Sequence, residues 1–170
     1  MIKNSLDQFI EDIRKIWGPL DSEVVTKAQA LMEALTKSPV SEAWLQELRQ
    51  GFDGSRELYR DPVHGFILLA YVEKKDLYRP PHDHGAGWVI YSVQEGEMEM
   101  RTFARIQDEN GNSKVTSRDK YPVRAGETRV YLPGDIHDTK CISDSALIFR
   151  LTSLDLKEEQ RLGRMHRYQI

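Results

Sequence analysis

Three of the five histidines have the side-chain type and spacing of a metal site. His82 and His84 are two residues apart in the string Pro-Pro-His-Asp-His-Gly, and residues i and i+2 of an extended strand point to the same face. His137 follows Leu-Pro-Gly-Asp-Ile, a sequence typical of a turn that leads into a strand. Three neutral imidazoles would leave coordination positions open for water, oxygen or substrate, as a catalytic metal requires. For His82 and His84 alone, two exposed histidines in a polar loop are the alternative.

The elements that must position these histidines are short strands. Between about residues 55 and 152, apolar runs and alternating segments are separated by Gly, Asn, Asp and Pro, which indicates a sandwich or barrel. Before residue 51, apolar residues recur at three- and four-residue steps from Ile2 onwards, a pattern typical of amphipathic helices. We therefore expect one domain over 1–170, with N-terminal helices in 1–51 packed on a barrel of 55–152 and a C-terminal tail of 153–170.

Composition excludes several classes of protein. The 170 residues include 24 Lys and Arg against 27 Asp and Glu, and this balance gives no general attraction to nucleic acid or to anionic membranes. No apolar run approaches the roughly 20 residues that span a bilayer, and the N-terminus lacks the apolar core of a secretory signal. The single cysteine, Cys141, excludes an internal disulfide and fits a reducing cytoplasm. We expect a cytoplasmic protein, either a monomer or a homodimer.

Residues 82–96 resemble the first motif of the cupin superfamily. That motif is His-x-His, followed after three or four residues by an acid and then, after six intervening residues, by Gly. His82, His84 and Gly96 match it, whereas Val89 occupies the position of the acid.

Residues 126–137 resemble the second cupin motif, in which Gly, Pro, Gly and His follow one another at short spacing. Gly126, Gly134 and His137 match, and Pro133 is adjacent to Gly134 instead of one residue removed. The resemblance implies a mainly β fold, the cupin double-stranded β-helix or jelly-roll barrel. It also implies a metal held by the histidines of both motifs.

Among cupins, a site without the acid is most similar to that of the thiol dioxygenases, which oxidise cysteine or mercaptopropionate with ferrous iron. The resemblance implies an Fe(II) dioxygenase that takes O2 and a small carboxylate-bearing substrate, with those two thiols among the candidates. A neutral triad leaves the metal more positive, which favours an anionic thiolate. Two features depart from the family: Val89 replaces a crosslinking cysteine, and Ile148, Arg150 and Thr152 replace a Ser-His-Tyr relay.

Three residues are candidates for substrate binding. Arg56 lies ten residues before Phe66, the spacing of the arginine that clamps the substrate carboxylate in cysteine dioxygenase, and Arg60 competes for this role. Tyr91 alternates with Val89 and should face the barrel interior, where it either packs or hydrogen-bonds a ligand. Arg150 either faces inward, where a buried cation needs an anionic partner, or lies on the outer face. The pattern assigns no residue to acid–base or nucleophilic catalysis.

Two other classes of function fit the same residues. One is a cupin isomerase, decarboxylase or lyase that uses Zn, Mn or Ni as a Lewis acid. The other is a cupin that binds a small ligand without converting it. Preference for iron over the other metals would separate the first class from the dioxygenase.

Overall fold

The computed structural model describes residues 3–170, so Ile2, the first residue of the expected apolar stripe, lies outside the described residues. Over this range the chain contains four helices and nine strands. The helices are α1 (Ser5–Ile16), α2 (Ser22–Thr36), α3 (Ala43–Arg49) and α4 (Leu156–Arg161). The strands are β1 (Ser55–Arg60), β2 (Ile67–Lys74), β3 (Tyr78–His82), β4 (Val89–Glu95), β5 (Glu97–Gln107), β6 (Ser113–Arg124), β7 (Thr128–Tyr131), β8 (Ile136–Cys141) and β9 (Ser145–Thr152).

The strands from β2 to β9 pair in a nested order. β2 pairs with β9, β3 with β8, β4 with β7 and β5 with β6, and every pair is antiparallel. The result is two facing sheets, β1-β2-β9-β4-β7 and β3-β8-β5-β6, with β1 added at one edge. Nested pairing of eight strands across two sheets is the jelly-roll arrangement, which confirms the expected mainly β fold.

Alternation along the strands of the five-stranded sheet separates two apolar layers. On β4, Val89, Tyr91 and Val93 belong to the interior of the barrel, whereas Ile90 packs with the helices on the outer face. Both faces of this sheet are therefore buried, which explains why the strand is almost continuously apolar in sequence.

The N-terminal helices cover the outer face of the five-stranded sheet. Side chains such as Phe9, Ile13 and Met32 pack in the same cluster as Phe66 and Phe149 of the sheet region. The amphipathic pattern before residue 51 thus predicts helices correctly. Among the described residues, no helix is both long enough and apolar enough to cross a membrane.

The glycine that matches the first motif has a steric reason for its identity. Gly96 connects β4 to β5 with φ of +82°, a conformation that favours glycine. A Cβ atom at this position would lie 2.2 Å from the backbone oxygen of Ser145. Any other residue would push β4 away from the start of β9 and disturb the sheet that carries Tyr91 and Arg150.

Candidate metal centre

The structure brings the three predicted histidines together. His82 ends β3 and lies directly opposite His137 of β8, because these two strands pair. His84 follows two residues after His82, and its Nε2 lies 3.3 Å from the Nε2 of His137. One ring nitrogen of each histidine lies within 4.8 Å of those of the other two. Such a cluster has the donor set and the spacing of a small metal site.

The hydrogen bonds of the rings indicate which nitrogens are available. Nδ1 of His82 lies 2.8 Å from the carbonyl oxygen of Pro80, and since a carbonyl only accepts, Nδ1 donates and Nε2 keeps its lone pair. Nδ1 of His84 and Nδ1 of His137 are buried without a partner. Buried polar atoms without partners are rare in folded proteins. The residues fit a metal ion because the Nε2 atoms of His84 and His137 converge and Nε2 of His82 keeps its lone pair, so each ring can offer one nitrogen to the same ion.

Burial keeps these imidazoles neutral. Desolvation lowers the pKa of His82, and it lowers the pKa values of His84 and His137 well below their ordinary range. The positive charge of Arg150 lowers all three further. A neutral imidazole has a lone pair to give to a metal, whereas an imidazolium has none.

An aromatic wall encloses one side of the cluster. The ring of Tyr131 stacks on His137 with 3.8 Å between centroids, and the ring of Tyr91 lies 5.2 Å from His137. The hydroxyl of Tyr131 is 3.0 Å from that of Tyr121. Val89, at the position of the cupin acid, is fully buried, and in residues 3–170 no carboxylate joins the cluster.

The acid between the two first histidines faces the other way and binds the C-terminal tail. Asp83 is buried and accepts hydrogen bonds from the backbone nitrogen of His166 at 2.9 Å and from the hydroxyl of Tyr168 at 2.7 Å. The backbone nitrogen of Tyr168 donates in turn to the carbonyl of Pro81 at 2.8 Å. The tail thus fixes the segment that carries His82, a role that the charged pattern of 153–170 did not reveal.

A cavity of about 240 Å3 opens beside His82. This volume lies below the roughly 300 Å3 at which pockets for drug-sized ligands begin, so the cavity suits a small metabolite. Its wall is mixed: three tyrosines and several apolar side chains lie next to one acid and three arginines. The lining residues are Tyr71, Glu73, Tyr78, Arg79, Pro80, His82, Tyr91, Thr139, Ile148, Arg150, Met165 and Arg167.

Arg150 faces inward, which settles the alternative that the sequence left open. It lies opposite Tyr91 across the β4–β9 pair and lines the cavity. Its guanidinium carbon lies 4.8 Å from the ring centroid of Tyr71. Its Nε is buried without a hydrogen-bond partner, and within the described part of the chain it forms no salt bridge. The cavity therefore contains a cation that no acid among residues 3–170 neutralises.

Arg56 lies elsewhere. It is opposite Ala70 on β2, whose side chain belongs to the layer beneath the helices. Because directly opposite residues of antiparallel strands share a face, Arg56 points to the outer side, where it forms a 2.8 Å salt bridge with Glu47. The competing Arg60 pairs with Glu57 and with another surface acid. Neither arginine lines the cavity.

Comparison with known proteins finds similar folds in solved structures. No family model matches the chain, and no curated protein matches it. The Schizosaccharomyces pombe Cnp3 cupin domain is similar with a TM-score of 0.47 and 12% identity over 65% of this chain and 66% of that one. KdgF from Halomonas sp. has a TM-score of 0.46 and 15% identity, over 58% of this chain and 74% of that one.

An oxalate oxidase is similar with a TM-score of 0.43 and 22% identity. The aligned region covers 61% of this chain and 53% of the oxidase, so the chain spans only about half of that protein. It also spans slightly less than two thirds of the Cnp3 domain. At these identities and TM-scores, the similarity says nothing about what this chain binds or converts.

Proposed function

We propose that the chain is a mononuclear metalloenzyme of the cupin type, with the metal held by His82, His84 and His137. The observation that carries this proposal is the convergence of three buried, neutral imidazoles within 4.8 Å of one another. The motif residues and the nested strand pairing support the cupin assignment. Val89 is buried at the position of the acid, and among residues 3–170 no carboxylate joins the three rings, so we propose that the metal is held by the three histidines alone.

Ferrous iron is the metal that we propose, with Zn, Ni and Mn as alternatives, and the reaction is a dioxygenation of a small carboxylate-bearing substrate. Bound iron would supply the one-electron chemistry with O2 that no side chain provides. The thiols cysteine and mercaptopropionate are the first substrates to test, because a neutral ligand set favours an anionic thiolate.

Arg150 is the residue that we propose to bind the substrate carboxylate. A guanidinium presents parallel N–H donors that match the two oxygens of a carboxylate, and that of Arg150 lacks a partner in the cavity. The ring of Tyr71 supports the guanidinium from one side. Two further arginines line the cavity: Arg79, which is paired with Glu73, and Arg167, from the C-terminal tail. The cavity thus orients an anion beside His82.

Tyr91 and Ile148 shape the cavity without replacing the Ser-His-Tyr relay of thiol dioxygenases. Ile148 is apolar, and the hydroxyl of Thr152 is buried and donates to the carbonyl of Ile67 at 3.4 Å. Neither side chain can pass a proton into the cavity. We propose that a thiol substrate binds as its thiolate, which a positively charged site favours.

The test is anaerobic loading with Fe(II), followed by measurement of metal stoichiometry and of O2 uptake with a panel of small thiol carboxylates. We expect one iron per chain and substrate-dependent uptake, both lost in His137→Ala. A loaded protein that takes up no O2 would refute the dioxygenase and direct the search to Zn, Mn or Ni and to isomerase, decarboxylase or lyase reactions. Failure to bind any metal would leave a non-catalytic binding cupin.

A further inference from the structure

Glu73 is a buried acid in the cavity that the proposed chemistry does not use. Its side chain is 2% exposed and lines the cavity from β2. One carboxylate oxygen, Oε1, accepts a 2.8 Å hydrogen bond from Arg79. The other, Oε2, is buried without any partner. An ionisable side chain that keeps an unpaired acceptor inside a folded protein is costly, so its presence in a ligand cavity calls for a donor from outside the chain.

Glu73 and Arg150 flank the same aromatic ring. On β2, Tyr71 and Glu73 are two residues apart, so both side chains face the barrel interior. The guanidinium of Arg150 lies over the ring of Tyr71 at 4.8 Å. The side chains of Arg150 and Glu73 therefore line one cavity together with Tyr71, and each has one buried polar atom without a partner.

The two orphaned atoms have opposite requirements. The guanidinium of Arg150 requires an acceptor, which a carboxylate supplies, and Oε2 of Glu73 requires a donor, which a carboxylate cannot supply. We infer that the cavity recognises a small ligand carrying both a carboxylate and a separate hydrogen-bond donor, an ammonium group, so that the ligand class is that of small amino acids. This inference rests on the proposed role of Arg150 as the carboxylate partner.

Ligand pairs that differ only in the donor test this inference. L-cysteine and 3-mercaptopropionate form one pair, and L-alanine and propionate form a second pair without sulfur. Binding of each to the anaerobic Fe(II)-loaded protein is measured by calorimetry. We expect the amino acid of each pair to bind roughly 10- to 100-fold more tightly, as expected for a hydrogen bond between charged groups. A hydroxyl analogue, 2-hydroxy-3-mercaptopropionate, distinguishes a charged from a neutral donor, and we expect it to bind between the two members of the first pair.

Two substitutions connect the preference to Glu73. Glu73→Gln keeps the shape of the side chain and removes its charge, and Glu73→Met removes the acceptor while keeping an unbranched chain of similar length. We expect the preference for the amino acid over its partner without the ammonium group to fall by about tenfold in Glu73→Gln and to vanish in Glu73→Met. The affinities for 3-mercaptopropionate and propionate should change by less than about threefold. Asp61→Asn is the matched control, because Asp61 is also a buried acid in a salt bridge but lies outside the cavity.

The outcomes separate this inference from the proposed function. If both members of a pair bind with equal affinity to the natural protein, recognition of the donor is wrong while the carboxylate role of Arg150 stands. Equal weakening of both members in Glu73→Gln would make Glu73 a structural residue and would also overturn the inference. If no ligand of either pair binds, the carboxylate role of Arg150 fails and the inference fails with it. Melting temperatures of all variants show whether a loss of binding comes from unfolding.

Discussion

Replacement of Arg150 with methionine should make the protein more stable and at the same time unable to bind its anion. Arg150 keeps a buried Nε without a partner and, in the part of the chain that the structure describes, it has no salt bridge. Its guanidinium lies over the ring of Tyr71, a favourable contact. If this cation serves a ligand and not the fold, as we propose, its replacement should stabilise the protein, because functional residues are commonly retained at a cost in stability.

The magnitude follows from two opposing contributions. A buried donor without a partner costs about 1–3 kcal/mol. A cation over an aromatic face at a partly exposed site stabilises the folded state by about 0.5–1 kcal/mol. Methionine has an unbranched, adaptable side chain that retains much of the apolar contact of the arginine stem. We therefore expect Arg150→Met to raise the free energy of unfolding by about 1 kcal/mol, which raises Tm by about 2–4 °C in a chain of this length.

The assay is urea unfolding followed by the fluorescence of the three tryptophans, with and without a carboxylate ligand. A ligand present at about 100 times its Kd stabilises the natural protein by about 2.7 kcal/mol, and we expect it to stabilise Arg150→Met by nothing measurable. Arg56→Met is the matched control. Arg56 is an exposed arginine paired with Glu47, and such surface pairs contribute about 0–1 kcal/mol, with no effect expected on ligand binding.

Two results would refute this reasoning. If Arg150→Met loses more than about 1 kcal/mol of stability, a value typical of disrupted structural contacts, then the guanidinium stabilises the fold and its Nε is satisfied in solution. If the variant is still stabilised by the carboxylate ligand, then the anion binds elsewhere. Either result would remove Arg150 from the proposed substrate site.

Three further predictions concern the metal, the tail and the response to acid. His84→Ala should abolish stoichiometric metal binding in elemental analysis, whereas His64→Ala, outside the cluster, should leave it unchanged. Asp83→Asn should lower the free energy of unfolding by about 1.5–3 kcal/mol, the range for hydrogen bonds to a charged group. It should also accelerate amide hydrogen exchange in residues 165–168, and unchanged exchange would contradict the role of Asp83 in holding the tail. Burial alone would raise the pKa of Asp61, but its hydrogen bonds outweigh burial and hold the pKa below its ordinary value. Ionised Asp61 therefore contributes fully to the free energy of unfolding above the unfolded pKa of about 3.9, and this contribution is lost as pH falls through the lower folded value. We expect the free energy of unfolding of Asp61→Asn to depend less steeply on pH in acid, as measured by urea unfolding at several pH values.

The strand pattern was sufficient to predict a sandwich or barrel, and the convergence of the three histidine rings was predicted only together with the motif resemblance. Val89 and Tyr91 face the same layer, as expected for residues i and i+2 of a strand. The register of β4 is fixed, since a shift by one residue would move every side chain to the opposite face. The predicted proximity of His137 to the other two histidines follows from the pairing of β3 with β8. Motif resemblance anticipated that pairing, whereas local pattern alone could not.

Sequence reasoning failed where the outcome depends on register or on distant contacts. The spacing of Arg56 from Phe66 resembles that of a carboxylate clamp, but the register of β1 places Arg56 opposite Ala70 on the outer face. Glu73 was missed, although its position two residues after Tyr71 on a buried strand was a usable signal. The role of the tail could not be predicted, because Asp83 and Tyr168 are 85 positions apart and no local pattern connects them.

The charges around the cavity indicate how metal chemistry and substrate choice are divided between different residues. The three histidines are held neutral by burial, so a bound divalent metal would keep its full positive charge and would attract any anionic donor. That attraction alone would not distinguish one small anion from another. In the site that we propose, Arg150 would add a directional requirement for a carboxylate. Glu73 would disfavour ligands that leave its free oxygen unpaired, since an unsatisfied buried acceptor costs more than a missing contact. Selectivity would then depend on the strands that carry Arg150 and Glu73, and it could change without any change in the metal ligands.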